Sequence, residues 1–375
     1  MEKLKVLYLV NSLGKGSGVM SFVMNTYRNI DRKNIQIDFI VNKKTDVNYE
    51  KELKELGANI YYILAPQKIS VGGIKKYFKK VWNFFELHKN EYEVIHSHVP
   101  TFNFWYFPIA KKFGIEKRIV HSHSSNSSSR LISRIRNFFL LTTVKQTANY
   151  FIACSKEAAV YLFGKKLVYK NKVTIINNGI DIERFSYNEG TRHSLRKELG
   201  LEGKFVLGHV GRFSDEKNHK FLIETFFRIT QIYPRSILLL IGEGSLKPNI
   251  ENKITELKLT ENVIFLGLRD DVNQVMQAMD SFVLPSLFEG LGIVAIEAQA
   301  AGLPCYVSKG VPKEVDITDL ITYISLNKSP EHWAQEIVKK KDSSSRSLYS
   351  KTIKSKNYDI VDTVKKLENF YYDIN

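Results

Sequence analysis

Acidic residues are scarce in the first half of this chain. Residues 1 to 180 hold 12 Asp and Glu against 29 Lys and Arg, a net of +17, whereas the remainder holds 27 against 26, a net of −1. Such asymmetry argues for an anionic partner of the first half only: a phospholipid surface, a phosphorylated substrate or nucleic acid. Cysteine is nearly absent. Cys154 and Cys305 lie far apart in apolar, strand-like contexts, which excludes a disulfide framework or a cysteine metal cage and suits buried reduced thiols. No apolar run approaches the roughly 20 residues of a membrane-spanning helix, and the start "MEKLKVLYLVNSLG" lacks a signal-peptide h-region and cleavage site, so a cytoplasmic protein is expected. Short-period repeats and long low-complexity tracts are missing too; the serine cluster "HSHSSNSSSR" reads as a polar loop.

What is present points to a soluble globular α/β protein. The 375 residues, 43% hydrophobic and 25% charged, exceed what one hydrophobic core usually organises, so two domains are expected. The runs "KVLYLV", "IQIDFIV", "NIYYIL", "YEVIHSH", "KRIVHSH" and "NYFIACS" alternate with helical patterns, the signature of βαβ units on a parallel sheet. A second series, "KFVLGHVGR", "SILLLIG", "NVIFLG", "SFVLP" and "PCYVS", repeats it after residue 204. Two doubly wound domains follow, 1–180 and 181–356, meeting near "NNGIDIERF". The amphipathic segment of about 357–375 is read as a closing helix that crosses back to the first domain. Ligands of such sheets sit at the carboxyl ends of the strands.

Four motifs fall at those ends. "NSLGKGSGVMSFV" places Gly14, Gly16 and Gly18 between the first strand and a helix, where backbone amides can approach a phosphate or an acceptor; the same residues also suit a plain strand-to-helix turn. The spacing is not G-x-G-x-x-G, although Asp38 stands about where a dinucleotide-binding acid would. Two "HSH" tripeptides, His96 to His98 and His121 to His123, end adjacent strands, and residues two apart share a face, so four imidazoles can converge. With no Asp, Glu or Cys at ligand-like spacing, no metal is expected; satisfied core histidines are the common alternative to zinc, and an active-site role for at least one is preferred because strand ends face the cleft.

"GHVGRFSDEKNHKF" ends a strand at Arg212 and opens a helix after Lys217, a cationic clamp able to stabilise a departing diphosphate. A solvated turn, with Asp215 and Glu216 paired to those cations, is the other reading. "PSLFEGLGIVAIEAQAAGLP" forms a turn and then a helix from about Gly292 to Ala301 that is apolar almost all round apart from Glu297 and Gln299. A carboxylate buried there is costly without donors, and sugar hydroxyls can supply them. Glu289, eight residues earlier and a little over two helical turns away, can line the same elongated ligand. Alternatively, Glu289 complements the helix N-terminus and Glu297 lies on a narrow exposed strip.

The combination of "GHVGR" with Lys217, "IINNGID" at the domain junction and the Glu, seven residues, Glu pattern resembles the retaining glycosyltransferases of family 4, in particular those of capsular and exopolysaccharide biosynthesis. The resemblance covers nearly the whole chain and is densest from 173 to about 315. It implies a GT-B fold of two Rossmann-like domains facing a cleft, with a nucleotide sugar, expected to be a UDP-sugar, held mainly by the second. Glu297 would bond the ribose hydroxyls, Glu289 the donor hexose, and Arg212 and Lys217 the diphosphate, with the amides of Gly290, Leu291 and Gly292 completing the cradle. In the first domain, His123 corresponds to the family's active-site histidine, His121 being the other register, and Gly16 to Val19, including Gly18, would face donor phosphate and acceptor.

Transfer would retain configuration without metal or cofactor, since no D-x-D motif is present. One departure is Asn218, where the wider family commonly has glycine after the lysine. "GIKKYFKKVWNFFELHK" sets Ile74, Tyr77, Phe78, Val81, Trp82 and Phe85 opposite Lys75, Lys76, Lys79 and Lys80, and "SRLISRIRNFFLLTTVK" adds Arg130, Arg134 and Arg136. Such helices can lie on an anionic membrane or simply cover a core. A peripheral protein at the inner membrane face acting on a lipid-linked or saccharide acceptor is the expectation. Two other readings are a sugar-nucleotide epimerase and a basic nucleic-acid-binding protein; for the latter there is no recognition-helix or stacking motif, and no nucleic-acid partner is expected.

Overall fold

The computed structural model describes residues 2–66, 70–123, 143–339 and 346–374. The chain divides into two compact units, Met1–Asn177 with Thr363–Asn375, and Asn178–Asp362. The first unit is built on seven strands: β1 (Leu4–Val10), β2 (Ile35–Val41), β3 (Ile60–Tyr62), β4 (Val94–Ser97), β5 (Lys117–Ser122), β6 (Tyr150–Ala153) and β7 (Thr174–Ile175). They form one parallel sheet in the order β3-β2-β1-β4-β5-β6-β7, so the chain winds outward in both directions from β1 and β4. The loops after β1 and β4 therefore lie where the winding direction switches, the usual ligand position of an open α/β sheet.

Period-two alternation sorts the strand residues. On one face Leu7, Leu9, Ile95, Val120 and Ala153 join the apolar core, packed against Tyr77, Val81 and Phe85 of α2 (Val71–Leu87) and Tyr106 and Phe107 of α3 (Asn103–Lys112). His96 and His121, one residue along from Ile95 and Val120, thereby turn to the opposite face. α1 (Gly18–Asn29) follows β1, and its residue before the first turn, Ser17, makes no side-chain cap.

The second unit has six strands, β8 (Phe205–Val210), β9 (Ser236–Ile241), β10 (Val263–Gly267), β11 (Ser281–Leu284), β12 (Cys305–Ser308) and β13 (Ile321–Ile324), all parallel in the order β10-β9-β8-β11-β12-β13. Val206, Leu239, Phe282 and Cys305 feed one apolar layer, and Leu207, Leu238, Val283 and Tyr306 the other. A sheet buried on both faces needs continuous apolar strands, as "SILLLI" and "SFVL" are. The site-bearing helices are α4 (His219–Ile232) after β8 and α5 (Ile293–Ala300) after β11. Both cysteines are buried and free. The last helix, α6 (Ile360–Asp373), leaves the second unit and returns to the first, where Tyr371 is fully buried and bonds Tyr8, oxygen to oxygen, at 2.8 Å.

Candidate active site

In the second unit, the loop after β8 and the turn before α5 meet. Lys217 closes a short 3₁₀ turn, Asp215–Lys217, and donates from Nζ to Glu289 Oε1 at 2.5 Å. Ser286 donates to the same carboxylate oxygen at 2.6 Å, and the Glu289 amide bonds the Gly310 carbonyl. The loop and the turn are further joined by the Leu287 amide on the Glu216 carbonyl. Glu289, rather than Asp215 or Glu216, thus takes the lysine. Gly211 leaves room for the Lys217 stem, since a Cβ there would come within 3.1 Å of Lys217 Cε. Asn218 adopts φ 55°, ψ 45°, so the turn that glycine would make is kept by the side chain that tolerates left-handed backbone best. Arg212 is exposed and forms no ion pair among the described residues.

The helix predicted from Gly292 to Ala301 runs from Ile293 to Ala300 with those two residues as caps. Gly292 is left-handed at φ 79°, which turns the chain sharply from Glu289 into the helix, and a Cβ would meet Val311 Cγ1 at 3.2 Å. Around it Val294, Ala295, Ile296, Ala298 and Gln299 are buried, Gln299 satisfied by Ala295, Val315 and Thr318. Glu297 differs: it keeps part of its surface open, and no hydrogen bond to its carboxyl is formed among the described residues. Desolvation pushes that carboxyl up to about 7, the positive charge of Arg184 pulling the other way.

In the first unit the four histidines converge. The register of β4 on β5 sets His96 opposite Ile119, which brings His98 level with His121 one step further on. Ring centroids lie 4.4 Å apart for His96 and His98, 5.1 Å for His98 and His123 and 4.0 Å for His121 and His123. His98 Nδ1 and His123 Nε2 bond at 2.8 Å, and His96 Nδ1 bonds the Tyr371 hydroxyl at 2.6 Å. Burial lowers all four below the ordinary imidazole range, His123 to about 3, so the cluster is neutral at pH 7. His96, His98 and His121 are buried and His123 is half-buried, its Nδ1 atom itself being buried and unpartnered. Nitrogens of His96, His98 and His121 lie within 4.8 Å of one another, near enough for a metal, but this set among the described residues holds no carboxylate or thiolate. Its rings stack face to face, with His96 and His121 8° from parallel, as neutral packed imidazoles do.

Other sequence candidates are placed as follows. Asp38 is a satisfied core carboxylate, bonded by Gln36, Asn59 and Tyr92, not a ribose acceptor. Gly16, at φ 75°, and Gly18 are exposed in the β1–α1 turn. Gly290 is half-exposed and Leu291 buried. On α2, Lys75, Lys76, Lys79 and Lys80 are exposed, while Tyr77, Val81 and Phe85 belong to the core and Phe78 stays 42% exposed among the lysines. Arg130, Arg134 and Arg136, and most of the serine cluster, lie outside the described residues. The sequence reading missed Ser286, three residues before Glu289 in the same motif. It also missed Tyr371, whose contact with His96 spans 275 residues and leaves no local signal.

These features match known proteins along the whole chain. Residues 16–184 match the family described as Glycosyltransferase Family 4, and residues 191–354 that described as Glycosyl transferases group 1. EpsF of Bacillus subtilis is 28% identical over 373 residues, 98% of this chain and 96% of EpsF. The UDP-Gal:alpha-D-GlcNAc-diphosphoundecaprenol alpha-1,3-galactosyltransferase of Escherichia coli is 27% identical over 308 residues, 77% of each chain. The crystal structure of HepE from Anabaena, in complex with UDP and glucose, superposes with a TM-score of 0.80 at 20% identity, covering 98% of this chain and 99% of HepE. The two parallel sheets with the returning helix are the GT-B fold, and the protein is a glycosyltransferase. It belongs to family 4 of that class.

Proposed function

We propose that the protein is a retaining glycosyltransferase that moves a hexose or N-acetylhexosamine from a UDP-sugar to a lipid-linked saccharide in capsular or exopolysaccharide synthesis, at the inner membrane face and without a metal. The observation that carries this reading is the pairing of Lys217 and Ser286 on Glu289 immediately before the helix whose Glu297 carboxyl has no hydrogen-bond donor among the described residues. Glu297 accepts the ribose hydroxyls, Glu289 binds the transferred sugar, and Arg212 and Lys217 take the diphosphate together with the amides of Gly290, Leu291 and Gly292. Neutral His123 contacts the donor sugar, with His121 as the alternative, and Gly16 to Val19, Gly18 among them, face phosphate and acceptor. The acceptor oxygen enters on the face the diphosphate leaves. With no carboxylate assigned as nucleophile, rate comes from positioning and from stabilising the departing charge.

UDP as donor nucleotide is supported by the ligands of HepE, and a lipid diphosphate acceptor by the name of the Escherichia coli relative. The +17 of the first half and the exposed lysines around Phe78 support the membrane surface; among the described residues no helix is long and apolar enough to cross a membrane. The test is incubation of purified protein with a panel of UDP-sugars and undecaprenyl-diphosphate saccharides in EDTA, with the product anomer read by NMR. A retained anomeric bond is expected. Epimerisation without transfer, an inverted product or a strict metal requirement would each replace the corresponding part of the proposal.

A further inference from the structure

The two flanks of β8 are held differently near the loop that carries Arg212 and Lys217. Toward β9 the pairing runs the whole strand, from Phe205 on Ser236 to Val210 on Ile241, and backbone bonds continue it, the Gly211 amide on the Ile241 carbonyl at 2.9 Å and the Phe213 amide on the Glu243 carbonyl at 3.0 Å. Toward β11 it consists, among the described residues, of Leu207 on Ser281 and Gly208 on Phe282. The next carbonyl along β11, that of Val283, meets a side chain instead: His209 Nδ1 lies 2.9 Å from it. A carbonyl oxygen only accepts, so Nδ1 carries the His209 proton and Nε2 the lone pair. β8 and β11 are also the strands at which this sheet reverses its winding, so the tie stands at the base of the expected ligand position.

We propose that His209 is a positioning residue: its bond to Val283 takes over from the ladder between β8 and β11 and sets the gap between the loop that holds Arg212 and Lys217 and the turn that holds Ser286 and Glu289. The inference rests on the roles proposed for that loop and turn at the donor diphosphate and sugar. The lever is short. Arg212 stands three residues after His209 and Ser286 three after Val283, so a change at the tie passes straight into both. Further out, the two segments are joined again by the Leu287 amide on the Glu216 carbonyl at 2.8 Å, the Asn218 amide on the Pro285 carbonyl at 3.3 Å and Lys217 on Glu289. His209 closes the interval between the ladder and these bonds. Its ring is fully buried, with His219 at the start of α4 packed edge-on against it at 4.8 Å and 83°. The Nε2 edge also borders the space that Gly211 leaves open: a Cβ there would stand 3.2 Å from His209 Nε2 and 3.1 Å from Lys217 Cε, so ring and lysine stem share one wall. Nε2 has no hydrogen-bond partner among the described residues, and burial holds the ring neutral, well below the ordinary imidazole range.

The experiment compares His209→Leu, which removes the donor, His209→Asn, whose amide reaches the place of Nδ1, and His209→Gln, whose amide reaches the place of Nε2. Nitrogen-15 histidine spectra of the wild type read the His209 tautomer without any substrate, and the Nδ1–H form is expected. In the transfer assay with a UDP-sugar and an undecaprenyl-diphosphate saccharide, kcat is counted per UDP site titrated by calorimetry, so that misfolded protein does not register as slow enzyme. It should fall about tenfold or more in His209→Leu and His209→Gln, with KM for the UDP-sugar within about threefold, and recover most of the way in His209→Asn. Urea unfolding supplies a readout independent of transfer: the non-additivity of Lys217→Met and Glu289→Gln should be present in the wild type, persist in His209→Asn and shrink in His209→Leu. An Nε2–H tautomer or absent coupling in the wild type, equal kcat in the Leu and Asn variants, as much recovery in Gln as in Asn, or unchanged coupling in His209→Leu would overturn the proposal. If the wild type transfers no sugar, the functional reading fails, while the spectra and the coupling still decide the role of His209.

Discussion

Lys217 Nζ lies 2.5 Å from Glu289 Oε1, so the cation assigned to the diphosphate and the carboxylate assigned to the sugar hold each other across 72 residues of sequence. Neither side chain is more than 16% exposed. Removing the lysine alone takes a charged donor from a carboxylate in a desolvated place, at a cost of about 1–3 kcal/mol. Lys217→Met should therefore lower stability by that order and kcat/KM by about a hundredfold or more. The double variant Lys217→Met, Glu289→Gln should be more stable than the sum of the singles predicts, since it leaves no charge unpaired. Urea unfolding of the four proteins measures this directly, and additive losses would mean that the pair is not coupled.

Glu297 makes stability depend on pH. Its carboxyl is raised to about 7 from an ordinary value of 4.5, so between those pH values the folded protein holds a proton that the unfolded chain has released. Stability then falls as pH rises through that window and levels off above about 7, by about 3 kcal/mol at most at roughly 1.4 kcal/mol per pH unit. Glu297→Gln should remove this slope, matching the wild type near pH 5 and exceeding it at pH 8. Thermal midpoints at the two pH values read the difference; equal pH slopes in both proteins would contradict it. A UDP-sugar should stabilise the wild type and leave the Gln variant nearly unmoved.

Most of the strands and the site helix were legible because their signals are local. "SILLLI", "KVLYLV" and "IQIDFIV" declare buried parallel strands by composition, and the apolar run broken by Glu297 declares a covered helix. β7, two exposed residues, and β13, half-buried "ITYI", lack that contrast and passed unnoticed. The convergence of His96, His98, His121 and His123 followed from period-two strands. Their bond pattern did not, because Tyr8 and Tyr371 meet His96 only after the fold has brought the chain's two ends together. The pairing of Lys217 with Glu289 was equally invisible, as the motif offers Asp215 and Glu216 as nearer partners in sequence.

Gly292 separates backbone geometry from chemistry. At φ 79° with Val311 3.2 Å from any Cβ, alanine is strained both by conformation and by contact. Gly292→Ala should destabilise by about 1–2 kcal/mol and tilt the start of α5, weakening UDP-sugar affinity more than Gly18→Ala, where no atom lies within 4 Å of the added carbon. Calorimetric titration with UDP on both variants makes the comparison. Equal affinities would show that the α5 start does not hold the nucleotide.

Arg212 and Glu297 should fail in different ways. The ribose contact proposed for Glu297 would be made in ground state and transition state alike, so Glu297→Ala should raise KM or Kd for the donor with a small effect on kcat. Arg212 is exposed, unpaired among the described residues and placed just after β8, and in the proposed role its charge would be needed most when the diphosphate departs. Arg212→Ala should leave UDP-sugar Kd within a few-fold and lower kcat by about a hundredfold, about 2.7 kcal/mol of lost stabilisation. Arg212→Lys should recover only part, because an ammonium cannot reproduce the bidentate fork. Steady-state kinetics with independent Kd measurement separates the two roles. Wild-type transfer by both alanine variants would remove both residues from the site.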